Sequence, residues 1–114
     1  LVLERLETLN ELNRNANRDA MDFGQVVEAI LEQEGLGYSD VTSGSEIEER
    51  LAELEHRRWM ASKVMSGYEY GPTRDLNLKQ HPLLVAYDTL PEAEKDKARE
   101  NVRLLCELQS RREP

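Results

Sequence analysis

Three stretches of the chain carry apolar residues at helical spacing. In the first, Leu9, Leu12, Ala16, Ala20, Val27 and Ile30 recur with a period of about 3.6 residues, which predicts an amphipathic helix. Thr8-Leu9-Asn10-Glu11 has the spacing of a capping box at its start, and Gly35 and Gly37 mark its end. The second stretch is better delimited: Ser45-Glu46-Ile47-Glu48 is another capping box and Gly67 stands where a C′ glycine belongs. At about 100° per residue, Ile47, Leu51, Leu54, Ala61 and Met65 share one arc of this helix, its expected core face. The third stretch opens at Thr89-Leu90-Pro91-Glu92 and continues through Ala98, Val102, Leu105 and Leu108 on one face. Arg99 and Arg103 fall opposite that face, where Asp96, Glu100 and Glu107 are their expected partners on a solvated surface. Residues 68–88 show no helical period, and Gly71-Pro72 and His81-Pro82 interrupt the backbone twice; Leu83–Tyr87 reads as a short strand or extended stretch.

A second arc of the middle helix does not fit a simple core helix. Ala52, His56, Trp59 and Lys63 line up roughly 150° from the apolar arc, so the only Trp and one of the two His lie off the main seam, beside a cation. Two readings stand. A second packing surface covers this face, with Trp59 as anchor and His56 as its hydrogen-bonded neighbour. Alternatively the face is a recess in which the indole stacks on a ligand while His56 and Lys63 offer donors to an anion. The loop that follows adds Tyr70, Arg74, Lys79 and His81, and aromatic faces with several cations suit a nucleotide-like ligand.

Charge narrows the partners. The 114 residues suit one small domain with a formal net charge of −8. Residues 1–55 hold 14 acidic and 4 basic side chains, whereas residues 56–114 hold 9 acidic and 11 basic. That distribution argues against nucleic acid, which requires a basic footprint, but leaves room for a compact anion near the second half. Apolar runs are too short for a membrane span or a signal peptide, and the lone Cys106 reads as a small core residue in a reducing, cytoplasmic setting. The Leu at position 1 in place of an initiator Met suggests a fragment or a processed chain. The glutamates at 46, 48, 49, 53 and 55 read as helix surface without the spacing of a calcium loop. Without a Gly-rich phosphate loop, a nucleophile elbow or a two-His zinc motif, the expectation is no enzyme, no cofactor and no metal.

The residues also carry a resemblance. Leu51-Ala52-x3-His56-x2-Trp59-x3-Lys63-x3-Gly67-Tyr68-x-Tyr70-Gly71-Pro72-x-Arg74-Asp75 resembles the ryanodine receptor repeat, the RyR domain. The likeness runs on through Lys79-x-His81-Pro82-x-Leu84-Val85-x-Tyr87-x2-Leu90-Pro91-Glu92-x-Glu94-Lys95 and ends near Leu108. It implies a mainly α fold: a small helical domain with short β pieces in an irregular segment between two principal helices. Such repeats occur as tandem pairs in large calcium-release channels and also in bacterial and phage proteins, and this short polar chain suits the stand-alone kind. In the channels repeat pairs are implicated in adenine-nucleotide binding. Carried over, that makes Trp59 a stacking platform and Lys63 with Arg74 phosphate contacts, a homodimer or partner domain supplying any second wall. Residues 76–80, Leu-Asn-Leu-Lys-Gln, are short and lack the hydroxyl that some members phosphorylate.

Residues 8–31 weakly echo residues 89–112, Thr-Leu-Asn-Glu matching Thr-Leu-Pro-Glu, which is either a degenerate half-repeat or two capped helices converging. The expected division is therefore an N-terminal helical segment and loop over 1–44 and an RyR-like repeat over 45–112.

Overall fold

The computed structural model describes residues 23–112. Helix α1 covers residues 23–34, α2 Glu46–Met65 and α3 Glu92–Ser110. Single 3-10 turns lie at Tyr38–Asp40 and Tyr87–Thr89. Between α2 and α3 two short strands, β1 (Glu69–Tyr70) and β2 (Gln80–His81), pair in parallel with Glu69 opposite Gln80 and Tyr70 opposite His81. The domain is thus mainly helical, with its β pieces confined to the irregular segment between the two principal helices. The Thr8 capping box and most of the 8–31 echo lie outside the described residues.

Side chains set both ends of α2. The Ser45 hydroxyl oxygen accepts from the Glu48 N–H at 3.2 Å, and the hydroxyl donates to the Thr42 carbonyl at 2.7 Å. Glu48 completes the box one residue early, accepting from the Gly44 N–H at 3.1 Å rather than from Ser45. At the far end Gly67 adopts φ +90°, its N–H bonding Val64 O at 2.9 Å while the Tyr68 N–H reaches Lys63 O at 2.9 Å. This is a Schellman closure, which places its C′ residue in the left-handed region where glycine carries no β-carbon penalty.

The main core joins all three helices: Phe23, Val27 and Leu31 of α1, Ile47 and Leu51 of α2, and Val102 and Cys106 of α3 are buried together with Val41. The expected apolar arc of α2 is correct only over its first turns. Ala61 is exposed and Met65 is 87% exposed, because the last turns of α2 extend past this core. On α3 the seam runs through Val102 and Cys106, with Leu105 half-buried, while Leu108 is 47% exposed; the stripe is rotated toward Cys106 because Gln109 anchors it. The Gln109 amide donates to Gly24 O at 3.1 Å and to the Tyr38 hydroxyl at 2.9 Å.

A second, smaller core explains why α2 is apolar on two sides. Ala52, Tyr87 and Leu90 are buried, and Leu83, Val85 and Ala98 pack against them. Residues 83–86 form no strand. They lie across α2 as an irregular strap, and Tyr87 enters the 3-10 turn that leads to Pro91 and α3.

Arg99 and Arg103 do not form the solvated face expected of them. Arg99 crosses to α2, where Nε and one terminal nitrogen reach the two oxygens of Glu49 at 2.8 and 3.1 Å; its other terminal nitrogen meets Asp96 at 2.7 Å and Glu92 at 3.1 Å. The Tyr87 hydroxyl donates to Glu49 at 2.9 Å, so one carboxylate ties strap, α2 and α3 together. Burial, reinforced by this carboxylate, pushes the Tyr87 phenol up to about 12. Arg103 Nε lies 3.2 Å from Glu48, whose side chain is almost fully buried; Glu48 is therefore an interhelical anchor and not surface. The Arg99–Glu49 pair, fifty residues apart, helps hold the two helices in register, while the buried Glu48 oxygen that faces Arg103 makes no hydrogen bond.

Candidate functional site

The second arc of α2 meets β2 and the strap at one place, and the chain's single Trp stands there between its two histidines. The His56 ring stacks near-parallel on Trp59, with centroids 5.6 Å apart, and the His81 ring meets the indole edge-on at 4.9 Å. Trp59 is partly exposed while His56 and His81 are buried, so the imidazoles form the floor and one wall and the indole forms the lip.

Backbone groups fix both imidazoles. His56 Nε2 lies 2.7 Å from the Val85 carbonyl oxygen, so this nitrogen carries a proton and donates. His81 Nδ1 accepts from the Leu83 N–H at 3.2 Å, which leaves the proton of the neutral ring on Nε2. Among the described residues neither His81 Nε2 nor the indole N–H has a hydrogen-bond acceptor. Two donors of the recess are therefore open to solvent or a ligand.

Two cations of this end lie within electrostatic reach of His81. Burial pushes the His81 imidazole below its ordinary value, and Arg74 and then Lys63 push it further, with Glu94 on α3 opposing them. Lys63 Nζ lies 4.9 Å from the centre of the Tyr68 ring, a cation–π contact, and neither Lys63 nor Arg74 has a carboxylate partner among the described residues. Arg74 stands next to Asp75, but Asp75 is engaged with its own loop: its Oδ1 accepts from the N–H groups of Asn77 and Leu78 at 2.9 and 3.0 Å. Arg74 and Asp75 thus form no ion pair, and Asp75 stabilises its own turn.

Two of the expected contacts sit differently from the rest. Lys79 donates from Nζ to the Ser66 carbonyl at 2.9 Å and so closes the end of α2 from the loop side. Tyr70 is exposed on β1, opposite His81 in the strand register. His56, Trp59, Lys63, Arg74 and His81 are the residues that rings and electrostatics bring together. The backbone partners Val85 O and Leu83 N–H are the members that side-chain reasoning missed, although Pro82 signalled the turn that presents them.

Gly71 is what lets the loop close beside this group. It is buried, and a β-carbon there would meet Gln80 at 2.5 Å, so only glycine allows the chain leaving β1 to pass against β2. Grooves among the described residues lie on the three-helix side. One of about 360 Å³ is lined by Phe23, Val26, Leu54, Ala61 and Met65. The Trp59 face offers a partly exposed indole between two imidazoles, a shelf on which a ring can stack.

A family model for the RyR domain matches residues 42–109. The match opens at Thr42, whose carbonyl holds the Ser45 cap of α2, and closes at Gln109, which ties α3 to α1. It takes in both principal helices, the strand pair, the strap and every residue of the Trp59 shelf. On that match, which covers more than half of the chain, the protein belongs to the RyR domain family.

Proposed function

We propose that this RyR-type module binds a small anionic, nucleotide-like ligand on the Trp59 shelf and catalyses no reaction on it. The observation that carries the reading is the pair of cations, Lys63 and Arg74, that act on His81 beside a partly exposed indole while no carboxylate among the described residues neutralises them. An aromatic ring stacks on Trp59, and its anionic group takes Lys63, Arg74 and the free donors at the indole and His81. Because Lys79 caps α2, it stands outside the set of primary contacts.

The test uses the single Trp as its own reporter. Titrating the protein with ATP changes Trp59 emission and saturates at millimolar ligand or below. Inorganic sulfate, which has the charge but no ring, competes with it. Lys63→Glu removes both responses while lowering stability by less than about 1 kcal/mol, the size of one exposed cation–π contact. Unchanged emission with either ligand overturns the reading.

A second reading, a structural interaction or self-association module, is favoured by exposed apolar side chains on the helices: Val64, Met65 and Leu104 are all more than half exposed. A silent ligand titration together with a stable dimer by light scattering selects it.

A further inference from the structure

His81 is more than another wall of the shelf. It is buried against the indole, yet one of its nitrogens is held by a backbone amide and the other has no acceptor among the described residues. A second proton on this ring has to go to Nδ1, the nitrogen that now accepts from the Leu83 N–H. Protonation therefore turns an acceptor into a donor that faces a donor, and the turn over 81–84 must release Leu83. It also adds a charge beside Lys63 and Arg74.

Every element around the ring contributes to that balance. From α2 come Trp59, Lys63 and, beyond the indole, His56; from β1, Tyr70; from the loop, Arg74; and from α3, Glu94, which forms an ion pair with Lys97 at 3.1 Å. Without a ligand, burial first and then the two cations disfavour a second proton on the ring, and Glu94 only partly opposes them. An anion seated between Trp59, Lys63 and Arg74 reverses the local field.

We infer that His81 couples this shelf to protons: the anion binds together with a proton taken from solvent onto His81 Nδ1, so its affinity rises as the solution becomes more acid. The inference rests on the anion-binding reading above and names its regulation. By linkage, an anion that favours the imidazolium must bind more tightly to the protonated protein. Only one ring is involved, so affinity changes by no more than about tenfold per pH unit. The other consequence is local: the Leu83 amide loses its acceptor when the anion is bound at low pH.

The experiment is a sulfate titration of the full chain, read by Trp59 emission at about pH 8 and about pH 5.5 at constant ionic strength, since imidazole titrates within that window. Sulfate keeps the same charge throughout, so any change belongs to the protein. The expected result is binding about fivefold or more tighter at the acid end. His81→Asn, whose side-chain oxygen replaces Nδ1 as acceptor for Leu83 but takes no proton, gives the same affinity at both. Following the His81 ring protons of the wild-type protein by NMR serves if that variant fails to fold; the titration midpoint moves up when sulfate is present. Equal affinity at the two pH values, or a midpoint that ignores sulfate, overturns the coupling and leaves the anion site standing. Persistent pH dependence in His81→Asn places the proton on another group and also overturns it. No response to sulfate at either pH overturns the anion-binding reading itself.

Discussion

Replacing Arg99 with Ala removes a side chain that binds three carboxylates, one of them, Glu49, across the α2–α3 contact. Its guanidinium forks onto Glu49 and also meets Asp96 and Glu92; the Arg99 side chain is 20% exposed, whereas the three carboxylates are 46%, 62% and 73% exposed. The two outer pairs are therefore surface ion pairs and contribute about 0–1 kcal/mol together. The fork onto Glu49 is a charge-assisted double hydrogen bond; half-exposure of the acceptor discounts it to about 1–1.5 kcal/mol. Packing of the buried stem adds about 0.5–1 kcal/mol. The expected cost of Arg99→Ala is then about 1.5–3.5 kcal/mol, a fall in Tm of about 6–28 °C for a domain of this size. A double-mutant cycle with Glu49→Ala, read by urea unfolding followed by circular dichroism, isolates the fork as a coupling of about 1–1.5 kcal/mol. The acid limb offers an independent check. Hydrogen bonding from Arg99, outweighing burial, holds the Glu49 carboxyl below its ordinary value of 4.5. A depressed carboxylate stabilises the fold above the unfolded value and loses that contribution as pH falls through the folded one. Arg99→Ala thus flattens the stability loss below about pH 4.5. A coupling under about 0.3 kcal/mol, within the error of additivity, with an unchanged acid limb, refutes the bridge.

Two further outcomes follow from the backbone and the core. Gly67→Ala costs about 1–2 kcal/mol in thermal unfolding, because the residue keeps φ +90° while its β-carbon meets only the Lys79 stem at ordinary contact distance; a cost near zero shows that the α2 terminus can close another way. Cys106 is 2% exposed and burial pushes its thiol up, so a thiol reagent at neutral pH modifies it no faster than the domain opens, and fast labelling of the native protein contradicts the core placement.

Local rules and tertiary pairing were unequally legible in the sequence. The Ser45 cap and the Gly67 stop depend on residues within one turn, and both stand where spacing put them. The two-faced character of α2 was also readable, since Ala52 and His56 fall on an arc that the strap covers. What the pattern hid was partner choice. Arg99 and Arg103 look like any solvated helix face until Glu48 and Glu49 are known to lie opposite them. Leu83–Val85 have strand composition, but their neighbour is a helix, and an apolar run takes whichever surface it meets. On the shelf, the rings and cations were legible as types, whereas the engagement of Lys79 with Ser66 and of His81 with Leu83 depends on backbone groups that composition does not display.

The loop between the strands decides where this domain can take up added chain. Asp75 and Gln80 exchange reciprocal backbone hydrogen bonds of 3.0 and 2.9 Å, which pinch the chain into a neck before it rejoins β2. Residues beyond the neck start and finish at nearly the same point in space. Extra chain inserted at Asn77 therefore extends outward like a bead on a stalk, and the parallel strands beneath it feel no added strain. Added length is thus expected to stay in a tip that grows without rebuilding its base, which is where a graft or an epitope is best tolerated.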